Sequence, residues 1–164
     1  MRRTQQRRAW LRESGRVGAL LSVLGALVWF SGLPFLFPSL GPTAYLYATR
    51  PSAPTSAARR VVGGHAVGVV AGLLAYHAVA GGVVFTAAMT PTTVGTLRLA
   101  ASGVVAVVLT TAGMLATDTG HAPACATTLI VGLGILSKPM EGAIVLLAVG
   151  VLTAEHELLG HLRG

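Results

Sequence analysis

Histidine and threonine side chains are the polar groups best placed for chemistry inside the long uncharged stretches of this sequence. Their imidazoles and hydroxyls donate and accept hydrogen bonds without a fixed negative charge. The acidic residues instead fall at the ends of these stretches or between them. Such an interior favours an anion or a neutral solute over a metal cation. The polar candidates are Thr43, His65, His77, His121, Thr127 and Thr128, and the acids are Glu13, Asp118, Glu141, Glu155 and Glu157.

Motifs of enzymes and cofactor-binding proteins do not account for these residues. The sequence contains no Gly-x-Ser-x-Gly elbow and no phosphate-binding Gly-x-x-x-x-Gly-Lys loop. Cys125 has no second thiol with which to form a metal site. His156 and His161, beside two glutamates near the C-terminus, suit a hydrated cluster at a membrane surface better than a metal site. We therefore expect no enzymatic activity, no metal and no cofactor.

The spacing of the charged residues predicts helices that cross a membrane. Only 10% of the 164 residues are charged, and 53% are hydrophobic. No Asp, Glu, Lys or Arg occurs in residues 17–49, 61–97, 99–117 or 119–137. A helix needs about 20 apolar residues to cross roughly 30 Å of hydrocarbon, so each stretch is long enough for at least one span. The sequence predicts an all-α, polytopic membrane protein.

Proline and glycine divide the two longest stretches into shorter elements. We expect a first span to end near residue 33, and others to cover residues 60–84, 96–117 and 139–155. Short elements begin at Pro42 and Pro123 and cover residues 42–48 and 123–136, because proline is favoured in the first turn of a helix. Each half of the chain thus has a long span, a short half-helix and a long span. This order is typical of inverted-repeat transporters.

Two topologies fit these breaks. If residues 34–49 and 123–137 enter and leave on one side, four spans remain, and Arg50, Arg59 and Arg60 lie opposite the N-terminus. If they cross, the chain makes six short crossings, and the three arginines join the arginines of the N-terminus. The positive-inside tendency favours six crossings with both termini cytoplasmic. The re-entrant arrangement stays open as the alternative.

Two segments resemble the HPP family of integral membrane proteins. The first reads LGPTAYLYA at residues 40–48, PSAP at 51–54 and RRVVGGH at 59–65; the second reads HAPACATT at 121–128. The second resembles the His-Pro-Pro segment that names the family, with Ala122 in place of the first proline. The resemblance covers residues 17–155 and leaves a basic arm, 1–16, and a short polar tail, 156–164. It implies a membrane transporter, and some family members are linked to nitrite movement.

The short elements suggest where a solute would pass. Free N–H groups at the start of a helix attract anions, so we expect a small anion to pass between the two half-helices. Together with the resemblance, which implies transport and a nitrite-like anion, this predicts an anion permease. The alternative is a non-transporting scaffold or sensor subunit, in which proline and glycine only break and pack helices. Gly64, Gly68 and Gly72 form a predicted packing seam. The predicted pathway residues are Gly41, Pro42, Thr43, Gly63, Gly64, His65, His121, Pro123 and Thr127.

The basic arm predicts an interaction with lipid. Half of the twelve basic residues lie in the first sixteen positions, where Trp10 and Leu11 separate them. This pattern is typical of a segment that lies on anionic headgroups beside a first span. The positive charge is a terminal arm and not a binding face for nucleic acid. We expect a multi-pass protein of the cell membrane, and a homo-oligomer because six short spans enclose little volume.

Overall fold

The computed structural model describes residues 2–86 and 89–161, with side chains described from residue 5 onward. Within these ranges the chain forms helices and connections without a strand, which confirms the predicted all-α bundle. A π-helical turn, Tyr76–Ala80, continues α3, and a 3-10 turn, Pro54–Ser56, precedes it. The helices are α1 Arg2–Ser31, α2 Leu40–Thr49, α3 Ala58–Ala75, α4 Val94–Thr117, α5 Ala124–Gly132 and α6 Pro139–His161.

Four helices in the described part of the chain are long and apolar enough to cross a membrane. They cover Gln5–Ser31, Ala58–Ala80, Val94–Thr117 and Pro139–His161. Large apolar side chains point outward from them, including Trp29, which is 80% exposed, and Leu115, which is 79% exposed. Such an exposed apolar surface suits lipid rather than water as the surrounding solvent. The protein is therefore a multi-pass membrane protein.

The two short helices extend only part of the way across. With 10 residues in α2 and 9 in α5, they are about 15 Å and 13 Å long, roughly half of a bilayer core. The predicted short crossings at residues 34–49 and 123–137 are therefore helical over only part of their length. Residues 32–39 before α2 and 133–138 after α5 are not helical and supply the remaining length.

Side-chain contacts show which parts of the chain share an end of the bundle. Arg16 donates to the Ala48 carbonyl oxygen over 3.4 Å, so the end of α2 lies beside the start of the membrane part of α1. The Tyr47 ring stacks on His156 of α6 at 3.9 Å. Arg60 pairs with Asp118, after α4, at 2.7 Å. We call this the arginine end.

The opposite end holds the remaining connections. Arg98 at the start of α4 donates to the Val79 carbonyl over 2.7 Å, and the Phe85 amide donates to the Leu133 carbonyl over 2.9 Å. Each helix, including α2 and α5, therefore runs toward the end opposite to the one that the preceding helix approaches. Arg50, Arg59 and Arg60 lie at the same end as Arg16, as the favoured topology expects.

Several element boundaries differ from the predicted ones. α2 begins at Leu40, so Pro42 is its third residue and not its first. α5 ends at Gly132, four residues before the predicted end, because Gly134 adopts a positive φ of 80°. A side chain there would contact the Tyr76 ring, with a Cβ at 2.6 Å. No break separates the basic arm from the first span, because α1 is continuous from Arg2 to Ser31.

Glycines allow α3 to approach α5 closely. A Cβ on Gly68 would lie 2.8 Å from the Thr128 hydroxyl and 2.9 Å from the Ala124 carbonyl oxygen. A Cβ on Gly72 would lie 2.7 Å from Val131, and one on Gly64 would lie 2.9 Å from the Thr119 carbonyl oxygen. The predicted seam of three glycines therefore faces α5 and the turn that precedes it.

We expect cysteine labelling to report this path. In a Cys125→Ala background, Ser52→Cys at the arginine end should react from the same side of the membrane as a tag on either terminus. Thr92→Cys should react from the other side, because the connection of residues 81–93 lies at the opposite end. Both positions are exposed. Labelling with an impermeant maleimide in sealed cells and in inverted vesicles measures the side, and reaction of both cysteines from one side would contradict the path.

We expect Gly68→Ala to destabilise the protein by about 1–3 kcal/mol, because the new methyl group overlaps a backbone carbonyl that cannot move away. The matched control is Gly150→Ala on α6, where no atom lies within 4 Å of the added Cβ. That control should be neutral or stabilising, since alanine favours a helix over glycine. Thermal unfolding in detergent measures both variants. Equal melting temperatures for Gly68→Ala and wild type would refute the close approach of α3 and α5.

Candidate functional site

Five polar side chains from three parts of the chain meet inside the bundle. Ser39 and Thr43 come from the start of α2, His65 from α3, and His121 and Thr127 from the turn before α5 and from α5 itself. We call them the imidazole–hydroxyl cluster. Each is between 0% and 1% exposed. Polar groups buried this deeply need internal hydrogen-bond partners, so their geometry is closely constrained.

The Thr43 hydroxyl is the centre of the cluster. Its oxygen lies 3.3 Å from Nε2 of His65 and 3.1 Å from Nε2 of His121. It also lies 3.1 Å from the Ser39 carbonyl oxygen, one helical turn earlier in α2. A single hydroxyl therefore connects two imidazoles and the first turn of a half-length helix.

Each imidazole has a second partner on its other nitrogen. His65 Nδ1 lies 2.7 Å from the Thr127 hydroxyl, which in turn lies 2.6 Å from the Ser39 hydroxyl. His121 Nδ1 lies 2.9 Å from the Thr55 carbonyl oxygen, in the exposed connection at the arginine end. The cluster thus extends from the interior of the bundle to its surface, and the two rings are 5.2 Å apart.

Hydrogen-bond accounting assigns the protons of the neutral cluster. A carbonyl only accepts, so Nδ1 of His121 carries a hydrogen and its Nε2 is a bare acceptor. The single hydroxyl hydrogen of Thr43 reaches either that nitrogen or the Ser39 carbonyl oxygen. In the neutral cluster it goes to the nitrogen, which otherwise has no donor. Because Thr43 has no second hydrogen to offer, Nε2 of His65 must be the donor to the Thr43 oxygen. Nδ1 of His65 then accepts from Thr127, which accepts from Ser39. Every polar hydrogen in the cluster has an acceptor.

The predicted pathway residues divide into two groups. Thr43, His65, His121 and Thr127 are brought together in the cluster. Gly63 and Gly64 lie beside it, where a Cβ on Gly63 would meet Thr119 at 2.6 Å and one on Gly64 would meet His121 at 3.0 Å.

The other predicted residues surround the cluster without entering it. Pro123 caps the start of α5 and is buried, whereas Ala122 is exposed. Pro42 is exposed, and a Cβ on Gly41 would have no atom within 4 Å. These two α2 residues therefore face away from the cluster, because a helix directs consecutive residues about 100° apart.

Ser39, a member of the cluster, and the Thr55 carbonyl, a partner of His121, were not among the predicted site residues. Ser39 is the residue before α2, and serine is a preferred residue at that position. The preference for serine before a helix indicates this position, but the predicted helix start at Pro42 lies three residues beyond it. No side-chain signal identifies the Thr55 carbonyl, because any residue supplies one.

Metal ligation finds no support in the described side chains. Across residues 5–86 and 89–161, no three His, Cys, Asp or Glu residues are grouped so that they could hold an ion. In the cluster, all four imidazole nitrogens already have a hydroxyl or carbonyl neighbour. His156, near the C-terminal end, stacks on Tyr47. The chemistry available in the cluster is hydrogen-bond donation and proton binding.

The bundle and its buried polar centre define a multi-pass helical membrane protein with a polar core. A sequence model of the family described as HPP, transmembrane region, matches residues 2–157. The chain belongs to this family, which confirms the resemblance at residues 40–65 and 121–128. Neither the curated proteins nor the solved structures compared with the chain gave a match.

Proposed function

We propose that this protein is a permease for a small anion, and that the imidazole–hydroxyl cluster is where the anion passes. The observation that carries this proposal is the position of the cluster. It lies where the start of one half-length helix meets the turn that begins the other, inside a bundle of membrane-spanning helices. Polar and ionisable groups are costly in a membrane and are commonly found where a protein moves a solute or proton.

The charges around the cluster favour an anion. Cluster groups supply hydroxyl and imidazole hydrogens, and none of its members is acidic. The acid nearest in sequence to His121 is Asp118, which is paired with Arg59 at 3.4 Å and Arg60 at 2.7 Å at the surface. A cation would therefore meet no free carboxylate in the cluster, whereas an anion would meet donors.

The packing of the helices indicates which helix would move to expose the imidazole–hydroxyl cluster. α3, α4 and α5 pack on one another, and α2 packs on α1 and α6. α2 reaches α3 and α5 through hydrogen bonds of Ser39 and Thr43. Movement of α2 relative to the α3–α5 pair would break the hydrogen bonds of Ser39 and Thr43 and would shift the apolar cluster that α2 shares with Val61 and Val69 of α3. We propose that this movement exposes the cluster during transport.

Charge asymmetry supports a cytoplasmic arginine end. Among the described side chains, seven arginines lie at this end or in the arm beyond it, and Arg98 and Lys138 lie toward the other. Excess positive charge is retained on the cytoplasmic side of membrane proteins. We propose that both termini face the cytoplasm. The seven arginines are Arg7, Arg8, Arg12, Arg16, Arg50, Arg59 and Arg60.

A non-transporting scaffold is the second candidate function. The observation that favours it is the complete internal satisfaction of the cluster, whose side chains are at most 1% exposed. A closed polar centre would serve to fix the helices of a scaffold equally well. The two functions differ in whether reconstituted protein moves a solute.

We expect purified protein in liposomes to take up at least one of nitrite, nitrate, formate and chloride faster than empty vesicles do. His65→Ala should reduce that uptake about tenfold or more, because it leaves Thr43 and Thr127 without their imidazole partner. The matched control is His77→Ala, since His77 is exposed and contacts the Ser137 carbonyl at the opposite end. Isotope or ion-electrode uptake measures the rates. If none of the four anions moves faster than in empty vesicles, the permease proposal is refuted and the scaffold remains.

A further inference from the structure

Thr43 gives the imidazole–hydroxyl cluster a second complete arrangement of hydrogen bonds. In the neutral arrangement, its hydrogen points to Nε2 of His121. If that nitrogen gains a proton, both imidazoles donate to Thr43, whose oxygen has two lone pairs to receive them. The Thr43 hydrogen is then free to turn to the Ser39 carbonyl oxygen, 3.1 Å away.

This second arrangement leaves no buried hydrogen without an acceptor. His121 still donates from Nδ1 to Thr55, and His65 still accepts at Nδ1 from Thr127. Rotation of one hydroxyl is the only change that the cluster needs. A second added proton would go to Nδ1 of His65, which would oppose the hydrogen of Thr127 and place two positive rings 5.2 Å apart. The geometry therefore suits the uptake of one proton.

The added positive charge has no partner among the described charged groups. The hydrogen bonds of His65 and His121 all go to hydroxyls or to a carbonyl. Arg59, Arg60 and Asp118 bind one another at the surface. The titratable or charged groups on the surrounding elements include Arg16 on α1, Tyr45, Tyr47 and Arg50 on or after α2, Arg59 and Arg60 on α3, Asp118 after α4, Cys125 on α5, and Glu155, His156 and Glu157 on α6. Farther along these elements lie Arg7, Arg8, Arg12 and Glu13 on α1, Arg98 on α4, and Glu141 and His161 on α6.

An isolated charge in a membrane interior is costly unless an opposite charge accompanies it. A small anion in contact with the cluster would supply that opposite charge. Each ligand would then raise the affinity for the other by the same factor, as linkage requires. The proton and the anion would occupy the site together and leave it together.

Resting on the proposed anion permease, we propose that the protein is a proton–anion symporter in which the His65–Thr43–His121 group takes up one proton with each anion. On loading, an O–H bond of hydronium breaks and an N–H bond forms at Nε2 of His121. On release, that N–H bond breaks and the proton returns to water. No other bond is made or broken.

The test uses the full chain in liposomes with the membrane potential held at zero by valinomycin and equal potassium on both sides. The probe is nitrate, or chloride if nitrate is not carried, because the conjugate acids of these anions are fully ionised and do not cross lipid unaided. With the lumen one pH unit more alkaline than the outside, one-to-one symport accumulates the anion about tenfold inside. A pH-sensitive dye in the lumen should report acidification that starts with anion entry.

Two pairs of variants locate the proton. His121→Gln keeps hydrogen-bonding groups but cannot hold the added proton, so it should lose the accumulation, whereas His77→Gln at the opposite end should keep it. Thr43→Val, which removes the shared hydroxyl, should also lose accumulation, and Thr43→Ser should retain more of it than Thr43→Val does. Thr111→Val is the threonine control, because Thr111 is exposed and bonds only within α4. Gel filtration checks that each variant is folded.

The outcomes separate the two proposals. Anion that enters wild-type vesicles but only equalises across the membrane overturns proton coupling and leaves the permease intact. Accumulation that persists in folded His121→Gln also overturns the proposed proton site. If no probe enters faster than in empty vesicles, the permease proposal fails, and proton coupling fails with it. The neutral acids of nitrite and formate cross lipid unaided. If only these anions are carried, the readout is the initial rate of luminal acidification after the rate in empty vesicles has been subtracted.

Discussion

The close contact between α3 and α5 is the constraint on which the rest of the structure depends. Gly64, Gly68 and Gly72 bring the backbone of α3 against the Thr119, Ala124 and Thr128 carbonyl oxygens, respectively. Only at this separation does His65 reach Thr127, and only then do His65 and His121 share one hydroxyl. In lipid, apolar burial does not drive helices together, so small residues and hydrogen bonds must hold such a pair. The glycine seam and the imidazole–hydroxyl cluster are therefore parts of one arrangement.

Half-length helices make this polar centre compatible with a membrane. α2 begins inside the bundle, so its first turn places Ser39 and Thr43 among the other polar groups instead of at a headgroup surface. Non-helical backbone is tolerated at membrane depth where protein covers it. Within residues 32–39, Phe35 and Phe37 are buried and share an apolar cluster with residues of α1, α2 and α6, whereas Leu33 and Leu36 are exposed. The long helices face lipid, and the short helices build the interior.

Much of this arrangement was predictable, because charged residues and prolines mark the ends of helices close to their own positions in the chain. Gaps between charges predict the long spans, Pro42 and Pro123 mark the short helices, and Thr43 and His121 follow as polar residues next to those prolines. The lengths of α2 and α5 were not predictable, because an extended segment and a helix have similar apolar sequences. The side of α2 on which Gly41 and Pro42 lie was not predictable either, because contacts far along the chain decide how α2 is rotated.

Helix α1 connects the membrane surface to the interior without a joint. It runs unbroken for 30 residues, about 45 Å, so the arm and the first span form one stiff rod. Arg16 lies partway along this rod and donates a hydrogen bond to the Ala48 carbonyl at the end of α2. The helix α1 also packs against α2. A force on the arm would therefore tilt the rod, and the tilt would pass to α2 through these contacts.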